Sequence, residues 1–192
     1  PPEAPVLVYL GRLAPEKNLE TLLAAFSVVL GSRPDARLLV VGDGPARTSL
    51  ERQARDLPVV FAGAVEYARV PTYLEAADAF VTASTSEVLP MSMIEALAAG
   101  APLVATRYPA AEDLVRDGVN GALCEPDVAS LAAGMTRVLS PGVLEGLREG
   151  ARRSPGAYDV SARARDLVAV YERAREDRWP RAQAYRRAQG LG

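Results

Sequence analysis

The sequence predicts an α/β fold, a doubly wound parallel sheet of about six strands with flanking helices, and three observations predict it. Short β-branched and aliphatic runs alternate along the chain with longer segments of helical period. The runs read as largely continuous apolar stretches, as strands buried on both faces should. Gly, Pro and polar residues punctuate the boundaries between them. The expected strands are Val6 to Leu10, Arg37 to Val41, Val59 to Ala62, Ala79 to Thr82, Pro102 to Ala105 and Gly121 to Cys124. Sheets of this kind bind ligands outside the carboxyl ends of their strands, near the topological switch, so function belongs in the strand-to-helix loops.

Helices are expected over Leu19 to Leu30, Ala46 to Asp56, Val70 to Ala77, Met91 to Ala99 and Val128 to Leu139, with Asn18 as the N-cap of the first. Beyond Pro141 the strand signal stops, and helical spacing follows from Val143 to Arg152 and from Ser161 to Glu176. There, Tyr158, Leu167, Val170 and Tyr171 form a stripe suited to this domain or to a partner domain. The expected organisation is one domain over residues 1–157, then a C-terminal helix and Arg-rich tail over 158–192.

Composition sets the outer bounds. With 192 residues, 49% hydrophobic and 24% charged, the chain has material for one sizeable core. A net charge of -2 removes the general electrostatic argument for a nucleic-acid binder, so no nucleic-acid partner is expected, although a local basic patch stays open. Cys124 is the lone cysteine and reads as a buried structural thiol in a reducing compartment. Without an apolar run of membrane-spanning length or a signal peptide, the chain reads as soluble and cytoplasmic. It begins at Pro1 rather than Met, as a processed or excised fragment would. The absence of histidine excludes a Ser-His-Asp triad, a His-ligated metal and a histidine base from this chain.

Two loops carry the chemistry. Gly11-Arg12-Leu13-Ala14-Pro15-Glu16-Lys17-Asn18 places a glycine and two cations before the first helix, the outline of an anion site. Gly11 permits close backbone approach, Arg12 offers a planar fork for phosphate oxygens, and Lys17 adds a point charge. The other is Ser86-Glu87-Val88-Leu89-Pro90-Met91-Ser92-Met93-Ile94-Glu95, in which seven residues separate two glutamates. With a helix beginning at Pro90, Glu87 stays in the loop and Glu95 projects from the second turn, so two acids flank a helix start. Carboxylates accept from sugar hydroxyls and helix N–H groups suit a diphosphate. Met91, Met93, Ile94 and Leu97 read as core. A solvated turn and two surface glutamates is the plainer alternative for each loop taken alone.

Taken in order, Gly11-Arg12-Leu13 through Glu16-Lys17-Asn18, Val41-Gly42-Asp43-Gly44-Pro45, Phe61-x-Gly63-x-Val65 and the Glu-x7-Glu segment resemble a known family. The chain resembles the C-terminal domain of glycogen-synthase-like and sucrose-synthase-like retaining glycosyltransferases of GT-B architecture, from Val6 to about Leu139. The resemblance implies a Rossmann-like domain, one half of a GT-B fold, whose donor is a nucleotide-diphosphate sugar held in the cleft against an N-terminal domain. It implies Arg12 and Lys17 as diphosphate ligands and Glu87 as the contact to donor-sugar hydroxyls. Glu95 falls to the ribose, and the backbone of Leu89, Pro90, Met91 and Ser92 to a further phosphate cradle. Gly42, Gly44 and the turn after Phe61 would border the nucleoside. The sequence departs from the family pattern at Leu89-Pro90, where an aromatic residue and a glycine often stand, and at Ala110-Ala111, ahead of Glu112, where a glycine pair is common.

No Asp-x-Asp occurs in the chain, so neither a metal nor another cofactor is expected. The acceptor is not specified by these residues. Two other readings stay open: a nucleotide-sugar epimerase-like or phosphorylase-like enzyme on the same architecture, and a non-catalytic nucleotide-binding or interaction module. For the latter, the tail from Arg173 to Arg187, with Trp179 and Tyr185, suits peripheral contact with the inner face of a membrane, although Glu172, Glu176 and Asp177 dilute its charge.

Overall fold

A computed structural model describes residues 4–154 and 168–173. Two compact units, residues 1–155 and 156–192, make up the chain. Six parallel strands form the first: β1 (Val6–Leu10), β2 (Arg37–Val41), β3 (Val59–Gly63), β4 (Ala79–Thr82), β5 (Leu103–Thr106) and β6 (Gly121–Cys124). Their order is β3-β2-β1-β4-β5-β6. Winding reverses between β1 and β4, the switch point of a doubly wound sheet, so the loops that follow these two strands open beside each other.

Central strands are covered on both faces, which explains their unbroken apolar runs. Every residue of β4 and β5 is buried, whereas β3, at one edge, leaves Val60 exposed. β3 runs one residue further than expected and β5 begins and ends one residue later. The helices are α1 (Leu19–Val29), α2 (Arg47–Gln53), α3 (Val70–Glu75), α4 (Met91–Ala98), α5 (Pro109–Leu114), α6 (Val128–Val138) and α7 (Pro141–Arg152). α5 was not expected, because six residues are too few to show a helical period.

One side of the sheet is packed by α1 and α6. Leu19, Leu22, Leu23, Phe26 and Val29 recur at helical spacing on α1 and join Leu131, Met135 and Val138 of α6 in one core with β1, β2 and β4. α6 starts cleanly because the Asp127 carboxylate accepts the Ser130 N–H at 2.9 Å. Cys124 is buried there, as expected, against the backbone of Gly134, where an added Cβ would come within 2.3 Å of its sulfur.

The expected cap on α1 is corrected. Asn18 stands before the helix with φ 51°, ψ 40°, and its side chain bonds no backbone N–H. Instead the Thr21 hydroxyl donates to Asn18 Oδ1 at 2.8 Å. A left-handed residue is needed to join the 3-10 turn Pro15–Lys17 to α1, and Asn tolerates that conformation. Residues 168–173 are helical and exposed, Val170 and Tyr171 included. Tyr158, Leu167, Trp179, Tyr185 and the tail beyond Arg173 lie outside the described residues. Among the described residues no helix is long and apolar enough to cross a membrane.

Candidate functional site

Both predicted loops line one cleft of about 370 Å³ at the switch point. Gly11, Arg12 and Lys17 come from the β1 side, and Glu87, Leu89, Met91, Ser92 and Glu95 from the β4 side, with Tyr9, Leu10, Thr82, Tyr67 and Val70 completing the lining. Gly42 and Asp43 line a second hollow of about 320 Å³ that shares Gly11, Arg12, Tyr67 and Val70 with the first. Gly44 and Pro90 line neither.

The β1 loop is pinned from below. Gly11 N–H donates to the Val41 carbonyl, Leu13 N–H to Asp43, and Ala46 N–H to Leu13, while the Leu13 side chain is wholly buried. The two glycines of the β2 loop make this possible. A Cβ on Gly42, whose φ is +135°, would meet the Gly11 oxygen at 1.9 Å, and one on Gly44 would meet the Leu13 oxygen at 2.4 Å. Both glycines therefore serve loop-to-loop packing, and Gly42 also lines the hollow. A Cβ on Gly11 would meet the Tyr9 phenol oxygen at 2.8 Å. That phenol donates to the Arg12 carbonyl at 3.0 Å. Burial first, and then the charges of Glu87 and Glu16, push the Tyr9 phenol well above its ordinary range, so it stays a donor at any working pH.

Lys17 does not wait free for an anion. Its Nζ lies 3.1 Å from Glu87 Oε2, and both side chains are mostly buried, 22% and 18% exposed. The residues expected to hold diphosphate and sugar thus neutralise each other across the cleft. Arg12 is exposed and makes no ion pair among the described residues. Tyr108, buried beside the cleft, has its phenol raised by burial first and by Glu87 second, and that phenol donates to the Met93 sulfur at 3.4 Å.

At the start of α4 the expectation is sharpened. Pro90 is the N-cap, with ψ 81°, and Met91 is the first helical residue. Met91 N–H turns to the Leu89 carbonyl at 2.9 Å and Met93 N–H to Pro90 at 3.0 Å. Within the Leu89 to Ser92 cradle, the amides of Leu89 and Ser92 remain without a protein acceptor among the described residues. Met93 and Leu97 are core as expected; Met91 is not, being 50% exposed in the cleft, and Ile94 is half-buried. Spacing explains this: 93, 96 and 97 share one helix face, whereas 91 and 95 are four apart on another.

Glu95 has a partner that sequence reasoning missed. The Tyr67 hydroxyl, on the 3-10 turn Tyr67–Arg69, donates to Glu95 Oε1 at 3.0 Å. No periodic or motif signal marks Tyr67, and its meeting with Glu95 spans 28 positions. The Ala110-Ala111 pair does not line the cleft: Ala111 is buried in α5, and Glu112 pairs with Arg107 at 3.1 Å.

A doubly wound sheet with a cation-bearing loop facing an acid-flanked helix start across its switch point defines a Rossmann-like domain. Residues 4–141 match the model of the family glycosyl transferases group 1, and the chain belongs to that family. It is 38% identical over 121 residues to alpha-monoglucosyldiacylglycerol synthase of Streptococcus pneumoniae, covering 61% of this chain and 27% of that protein. It is 34% identical over 194 residues to D-inositol 3-phosphate glycosyltransferase 2 of Catenulispora acidiphila, covering 92% and 45%. Among solved structures, sucrose-phosphate synthase from Thermosynechococcus elongatus superposes with a TM-score of 0.79 at 26% identity, over 91% of this chain and 46% of that one. Anabaena HepE in complex with UDP shares the fold, with a TM-score of 0.78 at 24% identity, over 87% and 48%. The chain spans less than half the length of each of these proteins.

Proposed function

We infer that this chain is the donor-binding half of a retaining hexosyltransferase that moves a sugar from a nucleotide diphosphate to an acceptor. One observation carries the reading: Arg12, Lys17, Glu87, Glu95 and the start of α4 converge on a single cleft at the switch point. Breaking the anomeric C–O bond builds positive charge on the sugar and negative charge on the departing diphosphate. Arg12, the Lys17 ammonium and the free amides at the start of α4 meet the second of these charges, and they do so without a metal. Glu87 accepts from sugar hydroxyls, and Glu95 from the ribose. The acceptor and its proton belong to an N-terminal domain, a partner supported by the greater length of the relatives. A cytoplasmic location suits the lone buried thiol.

Because Lys17 and Glu87 are paired, the donor binds by exchange: its diphosphate takes the ammonium as its sugar hydroxyls take the carboxylate. A site with this pairing favours the complete nucleotide sugar over the bare diphosphate. Calorimetric titration with UDP, GDP, ADP and matching nucleotide sugars, with and without EDTA, tests the reading. Saturable binding of one diphosphate, insensitive to EDTA and tighter with the sugar attached, is the expected outcome. An epimerase would instead convert the donor sugar without any acceptor, and a chain that binds none of the nucleotides would be a non-catalytic module.

A further inference from the structure

Tyr67 sits where three hollows meet: the main cleft, the hollow beside Gly42, and a third of about 250 Å³ between α3 and α4. Its ring is 75% exposed, so the phenol has water available and no burial forces it to find a protein acceptor. Yet it donates to Glu95 Oε1 at 3.0 Å, and that bond, first among the causes, raises the Tyr67 phenol above its ordinary value. The turn that carries Tyr67 is itself held. Arg69 N–H donates to Glu66 at 2.9 Å, and Val70, directly after the turn, is buried. Glu95 by contrast stands on a helix of eight residues, where an unassisted carboxylate samples several rotamers.

We propose that Tyr67 is a positioning residue for Glu95: its phenol occupies one carboxylate oxygen and holds the other toward the cleft, ready to accept from the ribose hydroxyls of a nucleoside diphosphate. This rests on the donor-site reading above and assigns Glu95 a partner which that reading does not require. The consequence is selectivity. A carboxylate locked in one orientation discriminates a ribose from a deoxyribose more sharply than a mobile one, because the energy of ordering it is spent in folding rather than at binding.

The experiment measures affinities of the chain for UDP, GDP and ADP and for their 2′-deoxy and 3′-deoxy counterparts. The variants are Tyr67→Phe, Tyr67→Ala, Glu95→Gln and Tyr67→Phe/Glu95→Gln, each checked by its thermal melt. The wild type is expected to prefer the ribose form by about tenfold or more. Tyr67→Phe should cut that preference by about threefold to tenfold while leaving deoxy affinity in place, and should add nothing in the Glu95→Gln background. An unchanged preference in Tyr67→Phe, with Glu95→Gln abolishing it, overturns the role of Tyr67 and leaves the donor site standing. Equal weakening of ribose and deoxyribose forms in Tyr67→Ala alone makes the ring a stacking platform and also overturns it. Retention of the preference in Glu95→Gln overturns the ribose assignment of Glu95 itself, and this inference with it.

Discussion

The two loops that face each other across the cleft are built by opposite means. On the β1 side, residues 11–14 are tied by backbone hydrogen bonds to the β2 loop, sealed by Leu13 and Ala14, and braced by the Tyr9 phenol. On the β4 side, Thr85, Ser86, Val88 and Leu89 are exposed, Val88 almost completely. One side is part of the core that happens to carry cations; the other is a surface segment that carries carboxylates. On the proposed reading, the cations of the β1 loop gain from rigid placement, since no reorganisation is then needed when a diphosphate binds. On the same reading, the β4 segment gains from having little buried structure to break when it closes on the sugar.

Truncating the same side chain on each side is the strongest way to break this contrast. Leu13→Ala should cost about 2 to 5 kcal/mol, because a fully buried leucine leaves a cavity. Its thermal midpoint should fall by about 5 to 15 °C. Leu89→Ala, 60% exposed, should stay within about 0.5 kcal/mol of the wild type. Equal losses in a thermal melt would erase the distinction.

Charge removal separates the sides by function instead. Arg12→Ala should weaken diphosphate binding by about tenfold to a hundredfold with little change in melting, as a charged hydrogen bond is worth roughly 1.5 to 3 kcal/mol. Titration with the bare diphosphate checks it, and an affinity equal to wild type would remove Arg12 from the site.

Glu87→Gln should act in the opposite direction. By releasing Lys17 from its ion pair, it should raise affinity for the sugar-free diphosphate by about threefold to tenfold. The gain should vanish for the nucleotide sugar, which loses its hydroxyl acceptor. Weaker binding of both ligands would show that Glu87 holds Lys17 in place rather than competing for it.

The smallest expected effect on binding is that of Tyr9→Phe. It removes only the bond to the Arg12 carbonyl and should lower diphosphate affinity by about threefold. The same phenol gives the sign of a pH effect. Its folded-state pKa lies above the ordinary value of about 10, so the unfolded chain loses its proton first and stability falls as pH rises past that value. Alkaline melts of wild type and Tyr9→Phe should diverge there, the variant losing less.

Most of the sheet was legible because buried parallel strands leave continuous apolar runs. β1, β2, β4 and β6 lie at the expected residues. α5 was not legible, since Pro109–Leu114 is a turn and a half long. At the site, the lengths and residue types of both loops could be read in advance, as could the projection of Glu95 from the second turn of its helix. The packing task of Gly42 and Gly44 could not, because a glycine in a loop reads the same whether its missing Cβ makes room for a ligand or for another backbone. Met91 was misread as core because an apolar side chain lining a cleft has the same residue type as one lining a core.

By itself, the sequence determined the class of fold, the family, and which loops bear cations and which bear acids. These are local properties of residue type and spacing along a few consecutive turns. Only the tertiary structure decided which charges meet. Lys17 and Glu87 are seventy positions apart and come within 3.1 Å because β1 and β4 are neighbours at the switch point. Tyr67 reaches Glu95 because the turn after β3 folds back against α4. Contacts of that range depend on strand order and register, which packing of the whole sheet selects and no local pattern encodes.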